Sequence, residues 1–410
     1  MKPQLLVLLV VPYAIAACGP TTPSPSAPPP PSAEGSATSP SAPPAASASG
    51  DVVPPAAPIP PSSASPTAAS PSPQPVVPEP PVVPEPPSVD EGPSSCPAGM
   101  KLVEGDYCTK VEQKCLVHWW APQNKKKVCE KFAAPTKCIG KRVKKRFCID
   151  TFAWPNEKGV RPEVMNTFYQ AQVKCAAVGK RMCTESEWNF ACEGPEMLPF
   201  PHGYVRDPKK CNGDHKWDNP KMTKVGRRDG KELARLWRGV PSGSQPECVS
   251  AFGVHDLPAN NDEVVAAESR RAKYSSVNTG GPWYSGVRNQ CRPKIYSHNE
   301  GFFYYFLGFR CCGEADGESS DPRTPDQVAK RWKFRRVEKL AGFNVGQMKE
   351  VIAKKAKGEC HCKGNTLDGV KLPRRPRYMC KTMCGTLLGP GAKDGDDSTR
   401  ALHRSRKAID

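Results

Sequence analysis

Eighteen of the nineteen cysteines in this chain lie between Cys96 and Cys384. So dense and even-numbered a set permits two kinds of solution. Either the thiols are oxidised in pairs and staple a loop-rich fold, or they bind metal in a reducing compartment. The choice depends on where the chain is sent.

The N-terminus points to export. Met1-Lys2 is a short positive start, and Leu5 to Val11 is an apolar run too short to span a bilayer. Small residues follow, ending in Ile15-Ala16-Ala17-Cys18, which reads as a signal peptide with its cleavage site. The same residues resemble the bacterial lipobox, which implies that Cys18 is lipidated and begins the mature protein. Gly19 follows where the resemblance would place an aspartate for inner-membrane retention, so the outer membrane is the expected address. In that compartment the other eighteen cysteines are expected as disulfides, with connectivity left open.

Residues 19–95 carry 26 of the 48 prolines, no aromatic residue, no Lys or Arg, and six acids. Such a segment cannot bury a core, so it is expected to be a disordered, partly polyproline tether. It separates a leader (1–18) from everything that can fold. From Cys96 onward the chain holds 58 bases and 35 acids, a balance of +23. That favours anionic partners: lipid headgroups, an anionic envelope polymer or an acidic protein. Nothing specifically indicates nucleic acid.

The region 96–313 is rich in aromatic residues and glycine. A helix is predicted from Pro162, with Val164, Phe168, Ala171, Cys175 and Val178 on one face and Gly179 as its stop. Thr184-Glu185-Ser186-Glu187 is a capping box opening a second helix. Residues 108–147 contain lysine and arginine runs between closely spaced cysteines and read as a basic insertion held down by disulfides. The extension 314–410 should supply a helix starting at Thr324-Pro325, basic through Lys330–Arg336, and a second from Asn344 to Lys357. Its cluster Cys360-His361-Cys362 and Cys380/Cys384 could ligate zinc. Two disulfides suit the oxidising compartment better.

Several motifs in order carry a family resemblance. They are Pro97-Ala98-Gly99-Met100, Phe147-Cys148-Ile149-Asp150, the run Gly179-Lys180-Arg181-Met182-Cys183-Thr184 continuing to Trp188, Phe252 to Leu257, Gly280-Gly281-Pro282-Trp283, and Leu307 to Cys311. Together they resemble the formylglycine-generating enzyme (sulfatase-modifying factor) family across roughly half the chain. The resemblance implies an α+β, C-type-lectin-like fold with few regular elements. It also implies a copper(I) site made by two cysteines after the Gly-Gly segment, since soft thiolates select that ion. Ser285 and Gln290 stand at those two positions, and Cys291 matches a structural cysteine expected to bond toward Cys311 or Cys312. Canonical oxidase activity is therefore not expected.

Candidate site residues follow from the same alignment. Trp283, Tyr284, Ser285, Arg288, Asn289 and Arg292 should line a ligand groove. Asn260 and Glu263 persist from a segment that suits calcium. His298 and Glu300, with His255 or His202, are the candidates for an iron site of two histidines and a carboxylate, and Cys291 is the remaining catalytic candidate. The expected function is a cell-envelope lipoprotein with a non-catalytic binding or scaffold module. The alternative is a copper- or iron-dependent oxidoreductase.

Overall fold

The computed structural model describes residues 95–121, 125–269, 272–284, 286–316, 333–364, 366–372, 378–389 and 392–393. Cys18, the leader and most of the tether, Ser285, and the helix start expected at Thr324 lie outside the described residues. The folded region opens with β1 (Met100–Cys108), β2 (Val111–Glu112), β3 (Cys115–Trp120), β4 (Lys127–Phe132), β5 (Lys137–Cys138) and β6 (Arg142–Asp150). Helix α1 (Phe168–Ala177), β7 (Arg181–Met182) and α2 (Glu185–Glu193) follow, then two short helices, α3 (Met222–Gly226) and α4 (Gly230–Leu236). Next come β8 (Asp262–Ala266), β9 (Ser276–Thr279), β10 (Lys294–Ile295), β11 (Leu307–Gly308) and β12 (Cys311–Gly313). The extension contributes α5 (Phe334–Ala341), α6 (Val345–Ala356), β13 (Cys362–Lys363), β14 (Thr366–Leu367), β15 (Val370–Lys371) and α7 (Met379–Cys384).

Two four-stranded sheets organise the domain. One runs β1-β6-β12-β7, and β1 pairs with β6 along its whole length, from Met100 opposite Asp150 to Cys108 opposite Arg142. The other runs β10-β9-β8-β11, with β8 and β11 parallel. Strand β8 is buried at every position, so its acids Asp262 and Glu263 must find partners inside the protein. The architecture is α+β with short elements and long irregular connections, as expected. Among the described residues, no helix is long and apolar enough to cross a membrane.

Helix α1 starts later than its periodicity suggests. The cap is Thr167, whose hydroxyl accepts from Gln170 N while the Gln170 side chain accepts from Thr167 N. Upstream, the backbone bonds elsewhere: Glu163 N donates to Trp154 O, and Met165 N to Tyr304 O and Leu307 O. Those bonds compete with a helical turn, and Met165 holds a positive φ of 67°. Pro162 therefore begins a loop rather than a helix. Helix α2 opens at Thr184 with the expected reciprocal Glu187 box.

All eighteen cysteines from Cys96 onward are paired. Cys108–Cys138 and Cys115–Cys129 tie down the basic insertion, whose β2 pairs with β5 and β3 with β4. The extension holds Cys360–Cys384 and Cys362–Cys380, two disulfides where zinc was the other option. One expected pairing is corrected. Cys291 bonds to Cys192, at the end of α2, whereas Cys311 and Cys312 bond to Cys175 and Cys183. Adjacent β12 residues point to opposite faces of the sheet, so they reach α1 on one side and the approach to α2 on the other.

The extension packs onto α1. Val173 and Ala177 share an apolar cluster with Val337, Ala341, Phe343, Met348 and Val351. Helix α6 has the expected bounds, capped by Asn344 and ending at Lys357. Lys174, on the covered face of α1, is fully buried and is held by Glu163 and by Thr382 O at 2.7 Å.

Candidate functional site

Glu263 sits on β8 at the centre of the domain, 1 % exposed. The Arg310 guanidinium meets it with two bonds of 2.8 Å, and Trp188 Nε1 donates a third at 2.9 Å. Asn260 Oδ1 accepts from Asn212 Nδ2 and Val240 N, and its amide donates to Val240 O. The two calcium candidates are thus engaged by protein donors, and the carboxylate is neutralised by an arginine. This donor set does not fit calcium, whose ligands are free oxygens. The sequence expectation is corrected: Glu263 ties β8 to α2 and to Arg310, and Asn260 ties the segment before β8 to the loops at Asn212 and Val240.

The copper and iron readings fare no better. Gln290 offers an amide, and Cys291 is a buried disulfide partner rather than a free thiol. The residues present do not supply the thiolate pair that copper(I) requires. His298 stacks flat on Phe302 at 3.7 Å, and Glu300 Oε1 accepts from Ser275 N at 2.5 Å. His255 lies against Phe152, and His202 stacks on Phe200. Among the described residues, the one convergence of three metal-ligating side chains is Cys362, Cys380 and Cys384, all in disulfides. The expected iron set is not assembled.

The groove candidates divide. Trp283 is 1 % exposed and packs edge-on against Trp237 at 5.0 Å, so it is core. Asn289 is buried and donates to Pro282 O, and Arg292 pairs with both oxygens of Glu193 beneath the Tyr107 ring. These three hold the fold. Tyr284 and Arg288 stay near the surface. Arg288 grips Asp262 with bonds of 3.0 and 2.8 Å, and Gly281 N donates to the same carboxylate. Gly281 has φ +66°, and a Cβ there would meet Arg288 Cβ at 2.8 Å, which explains the glycine pair in this turn.

Around Tyr284 lies an aromatic wall. Tyr284 meets Phe306 at 5.6 Å, Tyr304 meets Phe306 at 4.8 Å, and Phe302 stacks on Tyr304 at 5.8 Å. Burial pushes the Tyr284 phenol well above its usual range and pushes the His298 imidazole below its own. A neutral imidazole and un-ionised phenols make a surface for stacking and hydrogen bonding rather than for charge transfer. Asp262, Phe302 and Tyr304 were not singled out from the sequence. The aromatic run Phe302 to Phe306 was the available signal.

A hollow of about 410 Å³ opens between the Trp154–Glu157 loop and α6. Met348, Ile352 and Met383 form apolar walls, with Glu163, Lys180 and Lys355 among the polar ones. Its size is that of a small-molecule site.

Residues 130–315 match the model of the sulfatase-modifying factor enzyme 1-like domain. The chain carries a domain of that family. The match begins inside β4, and β1, which lies before it, shares a sheet with β6, β12 and β7. The solved structure of CarF aligns over 53 % of this chain and 98 % of its own, at 13 % identity and a TM-score of 0.34. PvdO from Pseudomonas aeruginosa aligns over 52 % of this chain and 94 % of its own, at 16 % identity and 0.33. The Treponema denticola variable protein 1 aligns over 52 % of this chain and 99 % of its own, at 13 % identity and 0.31. No curated protein matches the sequence.

Proposed function

We propose that this protein is a cell-envelope lipoprotein whose sulfatase-modifying-factor-like domain works as a binding module and not as an oxidase. One observation carries the reading: every cysteine from Cys96 onward is committed to a disulfide, so no thiolate pair remains for copper(I). Arginine at Glu263 similarly removes the calcium option. What remains partly exposed is the aromatic wall of Tyr284, Phe302 and Tyr304, beside the buried Asp262 and its partner Arg288. Rigid aromatic side chains of this kind give contact area at low entropic cost. The lipid anchor at Cys18 and the outer-membrane address rest on the leader sequence, and the tether rests on the proline-rich composition of residues 19–95.

The test uses the full chain, purified oxidised and incubated with copper(I) or iron(II), oxygen and a cysteine peptide of sulfatase type. The expected result is an unchanged peptide by mass spectrometry. Conversion of its cysteine to an aldehyde would overturn the reading. Anchoring is tested separately by metabolic labelling with an alkyne fatty acid, which should mark the wild-type chain and not Cys18→Ser.

A further inference from the structure

The basic insertion leaves several apolar side chains exposed. Strands β3 and β4 form a two-stranded ribbon whose register shifts between Cys115 and His118. At that irregularity Leu116 and Val117 are each 50 % exposed, and nearer the tip Trp120 is 55 % exposed. Lysines interleave with them. Lys127 stands directly across the ladder from Trp120, and Lys131 stands across from Val117. Lys131 also bridges to Val205, itself 56 % exposed. The row therefore alternates apolar and cationic groups.

Charge around the ribbon is one-sided. Residues 108–147 hold twelve Lys or Arg and two acids, Glu112 and Glu130. Glu130 is engaged by Trp119 Nε1 and by Arg206. Glu112 lies on β2, outside the ribbon. Lys144, Lys145 and Arg146, on β6, pair with Asp106, Glu268, Glu104 and Asp316 outside this segment, so the ribbon's own positive charge lies in exposed Lys125, Lys127 and Lys131.

We propose that this ribbon docks the protein onto a bilayer surface containing anionic lipid. Two features select this partner. Lysines beside an anionic leaflet are attracted to its headgroups within a Debye length. Exposed Trp, Leu and Val side chains at the same level enter the headgroup boundary, where tryptophan in particular is favoured. A soluble polyanion would use the lysines and leave Trp120 without a role. Disulfides Cys115–Cys129 and Cys108–Cys138 keep the ribbon formed before contact, so little ordering entropy opposes docking. The inference is independent of the aromatic wall and of the absence of oxidase chemistry.

The experiment uses the full chain carrying Cys18→Ser, so that no acyl chain is attached. Cosedimentation is measured with vesicles of phosphatidylcholine alone and with vesicles containing phosphatidylglycerol. Residues 1–18 are the same in every variant, so differences between variants report the folded body. Binding should be at least tenfold stronger to the anionic vesicles. Lys125→Gln, Lys127→Gln and Lys131→Gln together should remove most of that difference, at about fivefold per lysine. Trp120→Ser should weaken vesicle binding several-fold while leaving binding to heparin unchanged. All four side chains are exposed, and circular dichroism of each variant checks that the fold is intact. Equal binding to both vesicle types, or a triple variant that binds as the parent does, would overturn the proposal. So would a Trp120→Ser variant with undiminished vesicle binding, which would assign the lysines to a soluble polyanion.

Discussion

The Arg310 guanidinium and the Glu263 carboxylate form a two-point ion pair with both bonds at 2.8 Å and both side chains at or below 1 % exposure. Arg310 also donates to backbone carbonyls of Asp150, Thr151 and His255. One side chain thereby joins β8, β6 and the loop before β8. A buried pair of this kind is costly to break because its partner stays behind as an uncompensated charge. Arg310→Met should lower stability by about 3–5 kcal/mol in urea unfolding. Since the arginine occupies the carboxylate, adding calcium to the wild-type protein, or chelating it, should leave the melting temperature unchanged. A calcium-dependent rise would show that the ion competes with Arg310.

Asp256 should make the protein sensitive to pH. Burial pushes its carboxyl up to about 6, and among the described residues the Gly243 N–H donates to it. The raised value means the folded state holds this proton more tightly than the unfolded chain does. Its contribution is therefore favourable at acid pH and is lost as pH rises from about 4 through 6. Asp256→Asn should then stabilise the protein near pH 7.5 by an amount on the order of 1–3 kcal/mol, and by much less at pH 4. Asn also tolerates the positive φ of 63°. Thermal melts at the two pH values check this, and an equal effect at both would refute it.

Cys291 provides a test of the cysteine framework. Alkylation of the denatured, unreduced chain should label no cysteine from Cys96 onward, as read by peptide mass spectrometry. Replacing Cys192 and Cys291 together by Ala opens a loop of 99 residues. That should cost about 4–5 kcal/mol by the loop-entropy relation. Recovery of labelled Cys291 from the native protein would restore it as a reactive candidate.

Gly385, just after α7, is where the extension seals over Glu163. It has φ +71°, and a Cβ there would collide with the Glu163 carboxylate, the partner of buried Lys174. Gly385→Ala should therefore cost at least about 2 kcal/mol, combining left-handed strain with disturbance of the ion pair. Limited proteolysis should then cut the extension at lower protease concentration than in wild type. Unchanged protection would mean that the extension is not held at this point.

The sequence by itself determined what is local or compositional. Thr184 and Glu187 cap α2, and Asn344 caps α6, because a capping box needs only residues three apart. The Gly280-Gly281-Pro282-Trp283 motif and its companions were enough to mark the domain, since each meets a fixed local backbone demand. The disulfide state was expected from the even cysteine count and the export signal read in residues 1–18. Tertiary structure decided which partners meet across long separations. The sequence alignment placed Trp283, Asn289 and Arg292 in a groove, yet burial against Trp237, backbone carbonyls and Glu193 made them structural. Glu263 has the chemistry of a cation ligand, and 47 residues later Arg310 supplies the cation. Pro162 looks like a helix start until Trp154, Tyr304 and Leu307 take its neighbours' hydrogen bonds. Distant pairings depend on how the sheets close around one another, and no short window of sequence contains that information.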